Sequence, residues 1–191
     1  MECYHDDTLP RCKWATGDLM VRYHDDKWGI PLHADQELFE MLILEGAQAG
    51  LSWSTILKRQ DTYRQAFDNF DPRKISKYTR RDISRLLEDD GIIRNKLKIH
   101  SAINNAKRFL EIQKEFGSFD RYIWSFVNHV SIVNRPKRHS DVPVSTNLSD
   151  KISADLKKRG FNFVGTTICY AFMQAIGIVN DHTQDCFKCK K

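Results

Sequence analysis

The chain has 191 residues, 41% of them hydrophobic and 29% charged, with 30 Lys and Arg against 25 Asp and Glu for a net charge of +5. That composition excludes a disordered chain, and no apolar run approaches the roughly 20 residues that a membrane-spanning helix needs. The length suits one domain with a sizeable core, or two small helical lobes. The stretch Met1-Glu2-Cys3-Tyr4-His5-Asp6-Asp7 is acidic and polar, unlike a signal peptide, so a cytoplasmic location and no membrane partner are expected. Five cysteines, an odd number, argue against a disulfide framework and for metal binding or buried thiols. The basic residues concentrate in 73–108 and 151–159, which favours a nucleic-acid face.

In chain order, residues 1–22 read as irregular, with 1–10 an extension ahead of a single helical domain over 11–191. Asp35 can cap a helix that runs to about 49. Gly50 ends it, and Ser52 can cap the next, to about 70. Asp71-Pro72 starts another, since proline is tolerated in a first turn. Thr79 with Asp82 resembles a capping box for a helix over 79–89. A break at Asp90-Gly91 precedes a long helix from about 95 to 116. Residues 118–127 read as a short helix with an aromatic face, and 129–147, holding Pro136 and Pro143, as a loop. Ser149 opens a helix closed by Gly160, and an apolar helix ends near 178. Strand-like alternation is weak throughout, so the class is all-α.

Three constellations carry chemistry. Cys12 and His24 stand near one end, His182 and Cys186 near the other. Two thiolates and two imidazoles suit a four-coordinate zinc, which would clasp the terminal segments together. Cys3, His5 and Cys189 are competing ligands by spacing alone. On the helix from Asp35, Leu38, Met41, Leu42, Glu45 and Ala49 share one arc, so a carboxylate stands where an apolar residue belongs. It must pair, protonate or face a cavity, unless the helix end frays into solvent. Trp53, across the Gly50-Leu51 turn, could join it in holding a flat cationic ring, although core packing is the commoner fate of tryptophan. The region 86–100 has the outline of a helix-hairpin-helix, with Gly91 in the turn and Arg94, Lys96 and Lys98 following. Such a turn accepts phosphate through backbone N–H groups. Most helix–glycine–helix turns, however, only connect.

Taken in order, the segments around Cys12-Lys13-Trp14, Tyr23-His24-Asp25-Asp26-Lys27-Trp28, Leu44-Glu45-Gly46, Gln48-Ala49-Gly50-Leu51-Ser52-Trp53, Asp90-Gly91-Ile92-Ile93, Trp124-Ser125-Phe126-Val127-Asn128, Lys158-Arg159-Gly160-Phe161-Asn162-Phe163-Val164-Gly165-Thr166-Thr167 and Val179-Asn180-Asp181-His182 resemble the 3-methyladenine DNA glycosylase I family. The resemblance covers about residues 12–186. It implies an all-helical helix-hairpin-helix glycosylase fold, two lobes with a base pocket between them. It implies one structural zinc on Cys12, His24, His182 and Cys186. The base pocket would be built from Glu45, Tyr23 and Trp53, with Trp14 nearby and Glu45 as the catalytic group. Gly50 and Leu51 would press into the vacated base stack, while Gly91 and Arg94 meet the DNA backbone. The reaction implied is hydrolysis of the N-glycosidic bond of 3-methyladenine by base flipping in duplex DNA, freeing the base, by a monomer without lyase activity. Where many relatives carry an aromatic three residues before Tyr23, this chain has Met20. The rival readings are a non-catalytic DNA-binding helical module and a His-Asp phosphohydrolase. The latter needs an open metal position that a full Cys2His2 set does not leave.

Overall fold

The computed structural model describes residues 8–189, so Cys3 and His5 lie outside the described residues. Helix α2 (Asp35–Gln48) forms the middle of the molecule, and every residue from Leu38 to Ala47 is buried. A helix buried on all sides is an interior element rather than a one-faced surface helix. It packs against α3 (Trp53–Leu57), α7 (Lys96–Phe116), α8 (Phe119–Ser125) and α10 (Thr166–Ala175). Around these lie α1 (Asp18–Asp26), α4 (Gln60–Ala66), α5 (Pro72–Ile75), α6 (Arg80–Glu88) and α9 (Asn147–Lys158), the last packed on α10. Their buried side chains form one continuous core, in which Trp124, Phe39, Phe109, Phe119 and Phe172 are fully enclosed. Each such side chain contributes about 1.5–3 kcal/mol relative to exposure. No helix among the described residues is long and apolar enough to cross a membrane.

Local capping explains most boundaries. Ser52, Asp71, Asn95 and Ser118 each accept a backbone N–H from the first turn of the helix they precede. Asp82 returns the Thr79 bond, closing the capping box.

The departures have physical reasons. Residues 1–22 are not wholly irregular, because α1 begins at Asp18 after Gly17 without a side-chain cap. The helix expected over 52–70 is broken into α3, α4 and a 3-10 turn at Asp68–Phe70, whose three residues all have positive φ. Asp35 does not cap α2. Its carboxylate accepts the N–H groups of Phe119 and Asp120 and the Gln113 amide, so it caps α8 across the core. Helix α9 opens at Thr146 rather than Ser149; Ser149 is its third residue and bonds back to the Thr146 N–H. A two-residue parallel pair, β1 (Ile132–Val133) with β2 (Val179–Asn180), ties the 129–147 segment to the chain that follows α10.

Candidate functional site

A cavity of about 400 Å³ opens between α1, the end of α2, the start of α3, α10 and the loop at 139–144. Its volume falls in the range of small-molecule sites. Trp14, Tyr23, Glu45 and Trp53, named from the sequence, all line it. So does Met20, on α1 three residues before Tyr23. Sequence reasoning missed the opposite side, where Thr167, Tyr170 and Gln174 of α10 and His139 of the loop join the lining. The signal was available for part of it. Tyr170 and Gln174 stand four residues apart in an otherwise apolar helix, so they share a face.

Glu45 is only 3% exposed, and burial alone, with no hydrogen bond among the described residues, sets the state of its carboxyl. Burial pushes its pKa up to about 8, favouring the neutral carboxyl. Burial, with the Glu45 charge behind it, also raises the Tyr23 phenol well above its ordinary value. The Trp53 Nε1–H is buried and unpartnered. The cavity therefore presents an uncommitted carboxyl and an uncommitted N–H among aromatic rings. A buried polar group left alone costs about 1–3 kcal/mol, which a ligand that pairs it returns as affinity.

Asp181 is buried behind this wall. It accepts from Tyr170 Oη and Gln174 Nε2 at 2.7 Å each, and from Asn134 Nδ2 at 2.7 Å. It fixes two cavity side chains and a loop residue at once.

The metal-ligand candidates meet beside the cavity. Ligand atoms of Cys12, His24 and Cys186 lie within 4.8 Å of one another, all buried. His24 Nε2 is 3.3 Å from Cys186 Sγ, while its Nδ1 faces Asp25 Oδ1 at 2.7 Å. Burial would raise the Asp25 pKa, but the Arg11 guanidinium and His24 hold it down at about 2. A carboxylate on the far nitrogen of an imidazole is the usual orienting partner of a metal-binding histidine. The Cys12 and Cys186 thiols face each other, which lowers the Cys12 pKa and raises that of Cys186. His182 stands edge-on to His24 with ring centroids 4.8 Å apart. Its Nδ1 is engaged by Asn180 Oδ1 at 2.8 Å, and its Nε2 is buried without a partner. Burial keeps this ring neutral, with a pKa lowered to about 4. An orphaned imidazole nitrogen on a ring packed against His24, next to a Cys-His-Cys group, has donor chemistry that fits a tetrahedral metal ion. Neither His182 nor Cys189 is part of that convergent group. Gly29 is required here, since a Cβ at that residue (φ +71°) would stand 2.9 Å from His182 Cε1.

Trp14 and Trp28 join the two sites. Trp14 lies 5.3 Å from His24 and 5.0 Å from Trp28, and Trp28 lies 4.7 Å from His182, centroid to centroid. Both indoles also line the cavity.

Of the residues expected to meet DNA, Gly50 and Leu51 form a tight turn at the end of α2. Gly50 has φ +78°, and the Leu51 side chain is exposed. Lys98 Nζ donates to Ala47 O at 2.7 Å and Ala49 O at 2.8 Å, fastening that turn to α7. At the α6–α7 turn the Gly91 N–H does not face outward, because it donates to Asp89 Oδ1 at 2.8 Å. The Ile93 N–H donates to Tyr63 Oη. These two donors are consumed inside the protein, whereas the Arg94 side chain is exposed.

The cavity is walled by aromatic rings, holds a buried carboxyl and lies in a mainly helical fold. Residues 14–189 match the family model described as methyladenine glycosylase. The chain is 49% identical over 179 residues to the DNA-3-methyladenine glycosylase 1 of Escherichia coli K12, covering 93% of this chain and 96% of that protein. It is 48% identical to the DNA-3-methyladenine glycosylase of Haemophilus influenzae, covering 92% and 96%. A crystal structure of 3-methyladenine DNA glycosylase I superposes with a TM-score of 0.92 at 46% identity, covering 94% of this chain and all of that one. A structure of the Staphylococcus aureus enzyme, addressing its recognition of 3-methyladenine, gives 0.91 at 36% identity over 95% and 97%. The chain belongs to the methyladenine glycosylase family.

Proposed function

We propose that this protein excises 3-methyladenine from alkylated duplex DNA by hydrolysing its N-glycosidic bond, as a step of base-excision repair. The observation that carries the reading is Glu45, a buried and unpartnered carboxyl facing a cavity walled by Tyr23 and Trp53. Methylation at N3 makes the base cationic in DNA, so its glycosidic bond is already weak and the base leaves neutral. No acid need protonate it, and no lysine nucleophile is needed. The enzyme flips the nucleotide at a cost of a few kcal/mol, less for a poorly paired base. Aromatic stacking returns about 1–3 kcal/mol. Glu45 ionises as the cationic base arrives, accepts hydrogen bonds from its adenine edge and complements its charge. The Trp53 N–H is a donor for an acceptor on the same base. Trp14 backs the cavity.

Gly50 and Leu51 enter the vacated stack, the exposed leucine acting as the wedge. Arg94 meets a phosphate at the α6–α7 turn, and Gly91 serves that turn by shape, since a Cβ there would stand 2.9 Å from Thr62 Cβ. Cys12, His24, His182 and Cys186 would hold one zinc ion, which with four protein ligands would supply structure rather than catalysis.

The test is release of free bases from methylated duplex DNA by wild type, Glu45→Gln and Trp53→Ala. Release of 3-methyladenine by the wild type, with both folded variants impaired, is the expected result. A wild type that binds DNA and releases nothing overturns the reading in favour of a binding module.

A further inference from the structure

The loop between β1 and α9 carries Arg135, Lys137 and Arg138 immediately before His139, and all four side chains are exposed. None of the three long cations has an ion pair among the described residues, so each is available to an outside anion. The acid in the loop, Asp141, is occupied by the Arg138 backbone N–H at 3.0 Å.

The loop is not loosely tethered. Asn134 N–H donates to Asn180 O at 3.1 Å, and its side chain donates to Asp181 at 2.7 Å. From the other side, Gln184 donates its N–H to Pro136 O and its Nε2 to Arg135 O, each at 3.0 Å. The segment that supplies His182 and Cys186 to the metal site therefore holds both sides of Arg135. Beyond the cations, His139, Val142, Pro143 and Val144 line the base cavity, and Val144 is 75% exposed.

We propose that Arg135, Lys137 and Arg138 form a phosphate grip on the strand that donates the flipped nucleotide, held in register by the metal-binding segment. The proposal rests on the cavity being a base site. A nucleotide whose base enters the cavity must bring its two flanking phosphates to the rim, and this loop is that rim on one side. Fixed backbone with unpaired cations is the arrangement that captures phosphates at little ordering cost, because Arg and Lys there give up no internal partner. Each phosphate neutralised releases condensed counterions, so the contribution is read in the salt dependence of binding.

The experiment measures binding of full-length protein, metal included, to a duplex with one tetrahydrofuran abasic analogue, across a salt series. It compares wild type with R135A/K137A/R138A, with R135K/K137R/R138K, and with K107A/K114A/R121A, which removes the same charge from α7 and α8. The expected result is a log–log salt slope shallower by about 2–3 for the loop alanine variant, at about 0.9 per phosphate contact. The charge-conserving variant recovers most of it, and the α7–α8 variant changes it far less. Binding of free 3-methyladenine, followed by tryptophan fluorescence, stays at the wild-type value in the loop variant. An unchanged slope in the loop variant, or an equal loss in the α7–α8 variant, overturns the proposal. A wild type that neither binds nor releases the base overturns the cavity reading instead, so the two failures are distinct.

Discussion

Tyr23 and Trp53 hold their ring centroids 5.2 Å apart with planes tilted by 53°. Two rings so close touch each other and leave no room for a third ring between them. A base entering the cavity therefore stacks on one of them, while the other fixes the first in place. Trp53→Ala removes the larger face and the unpartnered N–H together. Base release and free-base affinity are expected to fall about 10- to 100-fold, the scale of one lost stacking partner. Trp53→Phe, which keeps a face and loses the N–H, should fall between the two in a quench titration.

Glu45 gives a pH signature. Its folded pKa lies at about 8, above the ordinary carboxyl value of 4.5, so its neutral form favours folding. That contribution is complete below about pH 4.5 and is lost as pH rises through about 8, by a few kcal/mol at most. Glu45→Gln is neutral at every pH, so denaturant unfolding should show the variant gaining stability relative to wild type between about pH 4.5 and 8. Binding runs the other way. A cationic base requires the carboxylate, so wild-type affinity for methylated DNA should rise with pH over that range while the variant stays flat. A variant curve that parallels wild type would remove Glu45 from charge recognition.

The metal group predicts unequal cysteines. Chelation, or substitution of Cys12, His182 or Cys186 by Ala, should lower the thermal midpoint sharply, since each change leaves buried partners unsatisfied. Cys189→Ser should keep one tightly bound zinc per chain and an unchanged melting curve, because Cys189, unlike Cys12 and Cys186, is only partly buried and lies outside the converging group. Metal content by mass spectrometry of the native protein, with melting curves, decides it.

Lys98 should matter although it lies outside the cavity lining. Its ammonium joins Ala47 O and Ala49 O at the end of α2, satisfying carbonyls that no helical turn can reach. Lys98→Met keeps the aliphatic stem and should cost about 1–3 kcal/mol, the scale of hydrogen bonds to a charged group. It should also loosen the Gly50–Leu51 turn, seen as faster amide exchange there and weaker binding to abasic DNA. Unaltered exchange at 49–51 would reduce Lys98 to an ordinary surface lysine.

What the sequence disclosed was local. Asp71 before Pro72, Thr79 with Asp82, and Asn95 before the long helix act within three residues, so their roles can be read by eye. Asp35 could not be read that way, because its partners lie 78 to 85 residues along the chain. Nor could the break after Leu57, where Lys58 and Arg59 carry neither glycine nor proline to mark it. Glu45 was legible because a carboxylate among apolar helix positions violates the pattern around it. The far wall was legible only in part. Tyr170 and Gln174 become cavity residues only when α10 packs on α2, and His139 only when the β1–β2 pair docks its loop. Gly91 looked like a phosphate turn by composition, but its N–H was already taken by a side chain two residues back.

The contact between His24 and Cys186 spans 162 positions along the chain. Closing so long a loop costs only slightly more entropy than closing one half its length, so the clasp is thermodynamically cheap and kinetically remote. On the ribosome, Cys12 and His24 wait through nearly the entire synthesis before Cys186 emerges. An ion held there would lock the two terminal segments together only once both have been made. The Pro10 carbonyl accepts the Phe187 N–H beside that lock, so the two chain segments run within bonding distance of each other. A circular permutant joined there and reopened at an exposed loop would turn a late, long-range closure into an early, local one.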